Sequence, residues 1–184
     1  MSIEISSLAP GVVAETDAAR ITVMPTQGRL SLRARGDVTP FAAALGLALP
    51  DCIGRRAAAD GIEAIQLGPD EWTVLASAGD VAQLTDTCAA LAAARPHSLV
   101  DISGREVTLL IEGPKAAELL TLGCPRDIAT IPHGEGRRTL FEGTTVVLWR
   151  DAADRFRIDV WNSFTGHIAQ LLETGCKELA AEPA

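Results

Sequence analysis

Three histidines, four cysteines and a few acidic pairs are the side chains in this sequence able to do covalent or acid–base chemistry. Their spacing decides whether they can cooperate. His97, His133 and His167 stand far apart and belong to no nucleophile–base or metal-binding signature. His133 falls in the Pro- and Gly-bearing segment Asp127 to Gly136, where it is best placed to meet a ligand or partner. Asp101 precedes Ser103 at the end of a strand-like run, and a carboxylate there commonly closes a turn. Asp70 and Glu71 are adjacent; read as strand neighbours, their side chains point to opposite faces and cannot share a site, and with Gly68-Pro69-Asp70 read as a turn the pair is turn chemistry. Cys124 lies beside Pro125 with no base nearby, which reads as a structural thiol. Gly134 and Gly136 make too short a glycine motif, without the following Lys-Ser/Thr, to cradle phosphate. Cys52, Cys88, Cys124 and Cys176 contain no C-x-x-C pair and no adjacent histidine, so no zinc spacing is present. The residues therefore predict no catalytic, cofactor or metal site on this chain.

The chain has 184 residues, 47% of them hydrophobic, with three Trp, four Phe and no Tyr. Such an Ala- and Leu-rich supply suits helices packed closely on sheets. A net charge of −8 argues against a nucleic-acid partner, because phosphate neutralisation needs clustered cations. Apolar runs fall short of the roughly 20 residues of a spanning helix, so no membrane partner is expected. MSIEISSLAP has neither the basic start nor the apolar run of a secretory leader. The expectation is a cytoplasmic protein with free thiols.

The elements that must hold these residues read off in order. Residues 1–19 mix Pro, Gly, Ser and acids without period and read as an arm. Ile21 to Met24 and Arg29 to Arg35 are strands, and Thr39-Pro40 opens a helix. Asp51 to Asp60 reads as a polar connection. Ile62 to Leu67 and Glu71 to Ala76 form a hairpin, followed by a helix from Val81 to Ala94. The stretch Leu99 to Leu120 holds two strands, a turn at Gly113 and a helix opened by Pro114. Strands at Arg137 to Phe141, Thr144 to Trp149 and Phe156 to Trp161 precede a last helix from about Phe164 to Leu179.

Strand, helix, hairpin and helix describe Arg29 to Ala94, and a similar order describes Glu106 to Leu179. The expected fold is therefore α+β, built of two related ferredoxin-like β-α-β-β-α halves packed together. The division is an arm at 1–19, a first half at 20–97 and a second at 98–184, expected to form one compact unit overall. Trp149, Trp161 and Phe164 lie on or just after the C-terminal strands, with Arg150 and Asn162 adjacent. Aromatics beside polar groups suit an interface core, and equally an ordinary protein core.

Four segments carry a family resemblance. They are LGPDEWTVL at Leu67 to Leu75, DISGREVTLLIEGPKAAELL at Asp101 to Leu120, GCPRDI at Gly123 to Ile128, and TLFEGTTVVLWR…FRIDVWNSFTGHIAQLL at Thr139 to Leu172. Together, in this order, they resemble the γ subunit of heterotetrameric sarcosine oxidase. Two places depart from the family pattern. Ser103-Gly104-Arg105-Glu106 stands where Ser-His-Arg-Arg is common, and Trp161-Asn162-Ser163-Phe164 stands where Trp-Arg-Ser-Phe is common.

The resemblance implies a non-catalytic subunit that packs on α within a complex with α, β and δ subunits. The complex would oxidatively demethylate sarcosine to glycine and formaldehyde with folate-linked one-carbon transfer. FAD, FMN, NAD, tetrahydrofolate and zinc would sit on the other subunits, with no cofactor on this chain. It also implies a fold similar to the folate-binding domain of aminomethyltransferases. Gly104, Arg105, His133, Trp149, Trp161, Asn162 and Phe164 are the expected partner interface. The alternatives are a stand-alone folate-binding or one-carbon-transfer protein, and a subunit of a related N-methylglutamate dehydrogenase.

Overall fold

A computed structural model describes residues 8–182. The chain forms two compact units: residues 27–103 make one, and the segments before 27 and after 103 make the other. Each is an antiparallel sheet with two helices, and each is described separately.

The unit of residues 27–103 contains β3 (Gly28–Ala34), α1 (Thr39–Leu45), β4 (Arg56–Ala59), β5 (Ile62–Gly68), β6 (Glu71–Ala76), α2 (Val81–Ala89) and β7 (His97–Asp101). Its strand order is β4-β5-β6-β3-β7. Leu30, Leu32, Trp72 and Val74 meet Phe41 and Leu45 of α1 and Leu84 and Cys88 of α2 in one apolar cluster. The Trp72 indole N–H donates to Pro50 O at 2.8 Å, so this buried polar tip is satisfied.

The other unit contains β1 (Gly11–Glu15), β2 (Arg20–Val23), β8 (Glu106–Glu112), α3 (Ala116–Thr121), a 3-10 turn at Ile128–Thr130, β9 (Glu135–Phe141), β10 (Thr144–Arg150), β11 (Arg155–Trp161) and α4 (Asn162–Ala181). Its order is β1-β2-β8-β11-β10-β9. The 20-residue helix α4 buries Thr165, Ile168, Ala169, Leu172, Cys176 and Leu179 at helical spacing. These meet Leu109, Ile111, Phe156 and Ile158 on the sheet. Burying each large side chain contributes about 1.5–3 kcal/mol.

The internal repeat is explicit in the strand orders. β3, β4, β5 and β6 of one unit correspond to β8, β9, β10 and β11 of the other. The strand beyond β3 is β7, which follows in the chain, whereas the strand beyond β8 is β2, which precedes it. A cut at 97/98 therefore separates chain segments but not sheets. Edge pairing, and not chain order, decides where a strand adds.

Three local expectations are corrected. Residues 11–15 of the expected arm form β1, paired with β2, while residues 1–7 of that arm lie outside the described residues. The polar connection Asp51 to Asp60 contains β4, whose Arg56 pairs opposite Ile65; its Arg-Ala-Ala-Ala composition carries no β signal, so pairing with β5 supplies the structure. Asp70 and Glu71 do converge, because Asp70 sits in the turn and strand alternation does not govern it. Arg33 reaches Asp70 at 3.2 Å and Glu71 at 3.1 Å. The Arg35 guanidinium beside Asp70 holds its carboxyl below the usual range.

All four cysteines are free, Cys52 exposed and the others buried. Burial also pushes the Cys88 thiol up. In the folded chain a thiol reagent is expected to modify Cys52 within minutes and the other three only after denaturant is added. Titration with and without denaturant measures this, and a second fast thiol would contradict the packing.

Candidate partner interface

Five of the seven expected interface residues meet at one end of the β8–β11 pair. The register sets Trp161 opposite Glu106. β11 ends there and α4 begins at the next residue, so the Asn162 main-chain N–H donates across to Arg105 O at 2.9 Å. The Asn162 side-chain amide reaches Gly104 O at 3.5 Å. Above this seam the Arg105 guanidinium lies 6.0 Å from the Trp161 ring centre while bonding Glu106 at 2.8 Å. Thr165 donates back to Trp161 O at 3.2 Å and fixes the first turn of α4.

The aromatics here face solvent. Trp161 is 46% exposed and Phe164 43%, although the chain has only seven aromatic residues. From Asn162 to Leu172 the helix carries no Asp, Glu, Lys or Arg, and its exposed positions in that span are Ser163, Phe164, Gly166, His167 and Gln170. Exposed aromatics, one arginine and depleted charge are the composition of an interface core.

His133 and Trp149 do not join this cluster. His133 is exposed at the other end of the sheet, where Gly134 donates its N–H to Arg150 O at 2.8 Å. Arg150 holds that loop by donating through one nitrogen to the carbonyls of Ile131, Ala129 and Ile128 at 2.7, 3.1 and 3.2 Å. Trp149 is fully buried and cannot present its ring to a partner, which corrects its place among the interface residues. Its indole N–H donates to Asp159 at 2.6 Å, and the Arg157 guanidinium lies 4.8 Å from its ring centre. The same carboxylate accepts the Thr108 hydroxyl at 2.6 Å. This Thr108–Asp159–Trp149 network was invisible to motif reading; its one sequence trace is an aspartate set between Ile158 and Val160 in β11.

Asp101 closes its strand-end turn by accepting from the Ser103 N–H at 2.9 Å. Cys124 is buried, with Thr139 Oγ1 at 3.9 Å from its sulfur. Among the described residues, no three His, Cys, Asp or Glu side chains are grouped as metal ligands. No helix among them is long and apolar enough to cross a membrane.

Fold and site together define a duplicated, ferredoxin-like α+β protein that offers an aromatic surface. No protein-family model matches the chain. Sarcosine oxidase subunit gamma of Corynebacterium sp. (strain U-96) is 34% identical over 144 residues, 77% of this chain and 69% of that protein. The gamma subunit of Corynebacterium sp. (strain P-1) is 30% identical over 181 residues, 96% of this chain and 88% of that protein. The heterotetrameric sarcosine oxidase from Corynebacterium sp. U-96, solved in complex with pyrrole 2-carboxylate, contains a chain that superimposes with a TM-score of 0.82. The identity is 28%, over 94% of this chain and 91% of that one. Glycine cleavage system aminomethyltransferase T from Bartonella henselae shares the fold, with a TM-score of 0.59 at 15% identity. The chain belongs to the sarcosine oxidase gamma-subunit family.

Proposed function

We propose that this chain is the non-catalytic gamma subunit of a heterotetrameric, sarcosine-oxidase-type flavoenzyme. The observation carrying this reading is the match to a chain of such a complex over 94% of the sequence. On this reading oxidative demethylation, folate-linked one-carbon transfer, and the FAD, FMN, NAD, tetrahydrofolate and zinc sites belong to the α, β and δ subunits. This chain packs on α and works in the cytoplasm. Gly104, Arg105, Trp161, Asn162 and Phe164 form part of its docking surface, with Trp161 as the aromatic anchor. A stand-alone aminomethyltransferase is less well supported, because the match covers only 46% of that enzyme.

Co-expression with α, β and δ subunits tests the reading. The chain should co-purify in equal amount, and a complex equally stable and active without it would refute the assignment. Truncating an interface anchor costs about 2 kcal/mol or more. Trp161→Ala is therefore expected to weaken assembly by roughly 30-fold, measured by titrating the chain into a complex lacking it, while leaving its own melting temperature nearly unchanged.

A further inference from the structure

Sheet edges in soluble proteins are blunted by bulges, shortness or charge, since an open edge pairs with any available strand. Each unit has two edges. β1 carries a bulge between Val12 and Ala14. β4 has only four residues and begins with Arg56. β9 carries Arg137 and Arg138 side by side. β7 has no bulge and no arginine or lysine, and its one carboxylate, Asp101, stands at its last residue. Its sequence is His-Ser-Leu-Val-Asp, it pairs with β3 in unbroken register, and Val100 is 50% exposed.

The register shows which main-chain groups are open. Leu30 lies opposite Asp101, so Arg29 lies opposite Ile102, and the Ile102 N–H donates to Arg29 O at 2.8 Å. In an antiparallel pair these bonds alternate. Ser98 and Val100 therefore turn their main-chain groups toward β3, and His97, Leu99 and Asp101 turn theirs outward. Beside this edge, α2 packs against β7. The two elements bound a cleft of about 280 Å³ lined by Thr85, Ala89, Ala92, His97, Ser98 and Leu99. An open edge beside a helix with small side chains is the geometry that accepts an extended peptide as an added strand.

Charge selects the occupant. Asp86 of α2 adjoins the lining Thr85, and Asp101 of β7 lies two residues past the lining Leu99; both are exposed, while Arg95, three residues beyond Ala92, is paired with Asp37 at 3.3 Å. We infer that the β7–α2 cleft receives an extended segment of a partner subunit, which adds as a strand to β7. That segment places small apolar side chains against Ala89 and Ala92 and a Lys or Arg toward Asp101. The inference rests on the proposed subunit role and names a second contact, separate from the Trp161 surface.

Amide hydrogen exchange at single-residue resolution tests it, on the chain alone and in the co-purified complex. In the free chain Leu99 and Asp101 should exchange fast and Ser98 and Val100 slowly. On assembly Leu99 and Asp101 should slow by about 100-fold or more. Ala89→Arg, at an exposed helical position, should block the cleft and reduce assembly at least tenfold with unchanged circular dichroism. Asp101→Lys should weaken it about tenfold. Assembly with Leu99 and Asp101 still fast overturns the inference and leaves the subunit role standing. Concentration-dependent protection of these amides in the isolated chain means that a second copy fills the edge, and also overturns it. Failure of the unaltered chain to join any complex overturns both readings.

Discussion

Asp159→Ala is expected to destabilise the chain by about 2–5 kcal/mol, because it removes the shared acceptor of two buried donors. Asp159 is 1% exposed and accepts from both Trp149 and Thr108 at 2.6 Å. Alanine leaves the buried indole N–H and the threonine hydroxyl without these acceptors, and an orphaned buried donor costs about 1–3 kcal/mol. The loss spreads further, because Trp149 is the surface on which Arg157 stacks. Arg157 in turn bonds Asp151 at 2.8 and 3.0 Å and so ties the β10–β11 turn. Asp159→Asn keeps the shape and one acceptor oxygen, so it should cost about half as much. Urea unfolding of the three proteins checks this order. A loss below about 1 kcal/mol for the alanine variant would show that the network contributes little.

The same network shows where sequence reading stopped. Trp149 and Trp161 both end strand-like runs beside a polar residue, so pattern alone treats them alike. Trp161, Asp159 and Arg157 even share one face of β11 by alternation. What separates the two tryptophans is their position along the sheet. Asp159 and Trp149 lie on a stretch of that face that is closed to water, whereas Trp161 lies past its end, where α4 starts. Alternation assigns a face but does not say whether that face is covered.

Elements with strong local signals were legible, among them the hairpin at Ile62 to Ala76 and the stripe of α4. Elements held mainly by pairing were not. β4 lacks β-forming composition, β1 has Val12 and Val13 but no alternation, and β7 adds to β3 although it reads as the start of the following half. The duplicated fold followed from element order. The proposed docking cluster came from two sources: Trp161, Asn162 and Phe164 from aromatics beside polar groups at strand ends, and Gly104 and Arg105 from the place where the chain departs from the family pattern.

Two glycines of one stretch are expected to respond in opposite ways to the same substitution. Gly113→Ala should cost about 3–5 kcal/mol. Its φ of +131° is a conformation that side chains resist, which costs about 1–3 kcal/mol. A Cβ there would stand 2.8 Å from Ala19 Cα and 2.9 Å from Ala18 O. Both are backbone atoms, and Ala18 O already accepts the Lys115 N–H at 2.9 Å. The β1–β2 connection cannot give without breaking the start of α3, so overpacking adds about 1–3 kcal/mol. Gly104→Ala should fall within about 0.5 kcal/mol of the parent. Nothing lies within 4 Å of its added Cβ, and its φ is not in the left-handed region. Chemical denaturation of the isolated chain measures both. Equal losses would mean that the turn at Gly113 relaxes around a methyl group, and the close approach of Ala18 and Ala19 would then not be what requires glycine there.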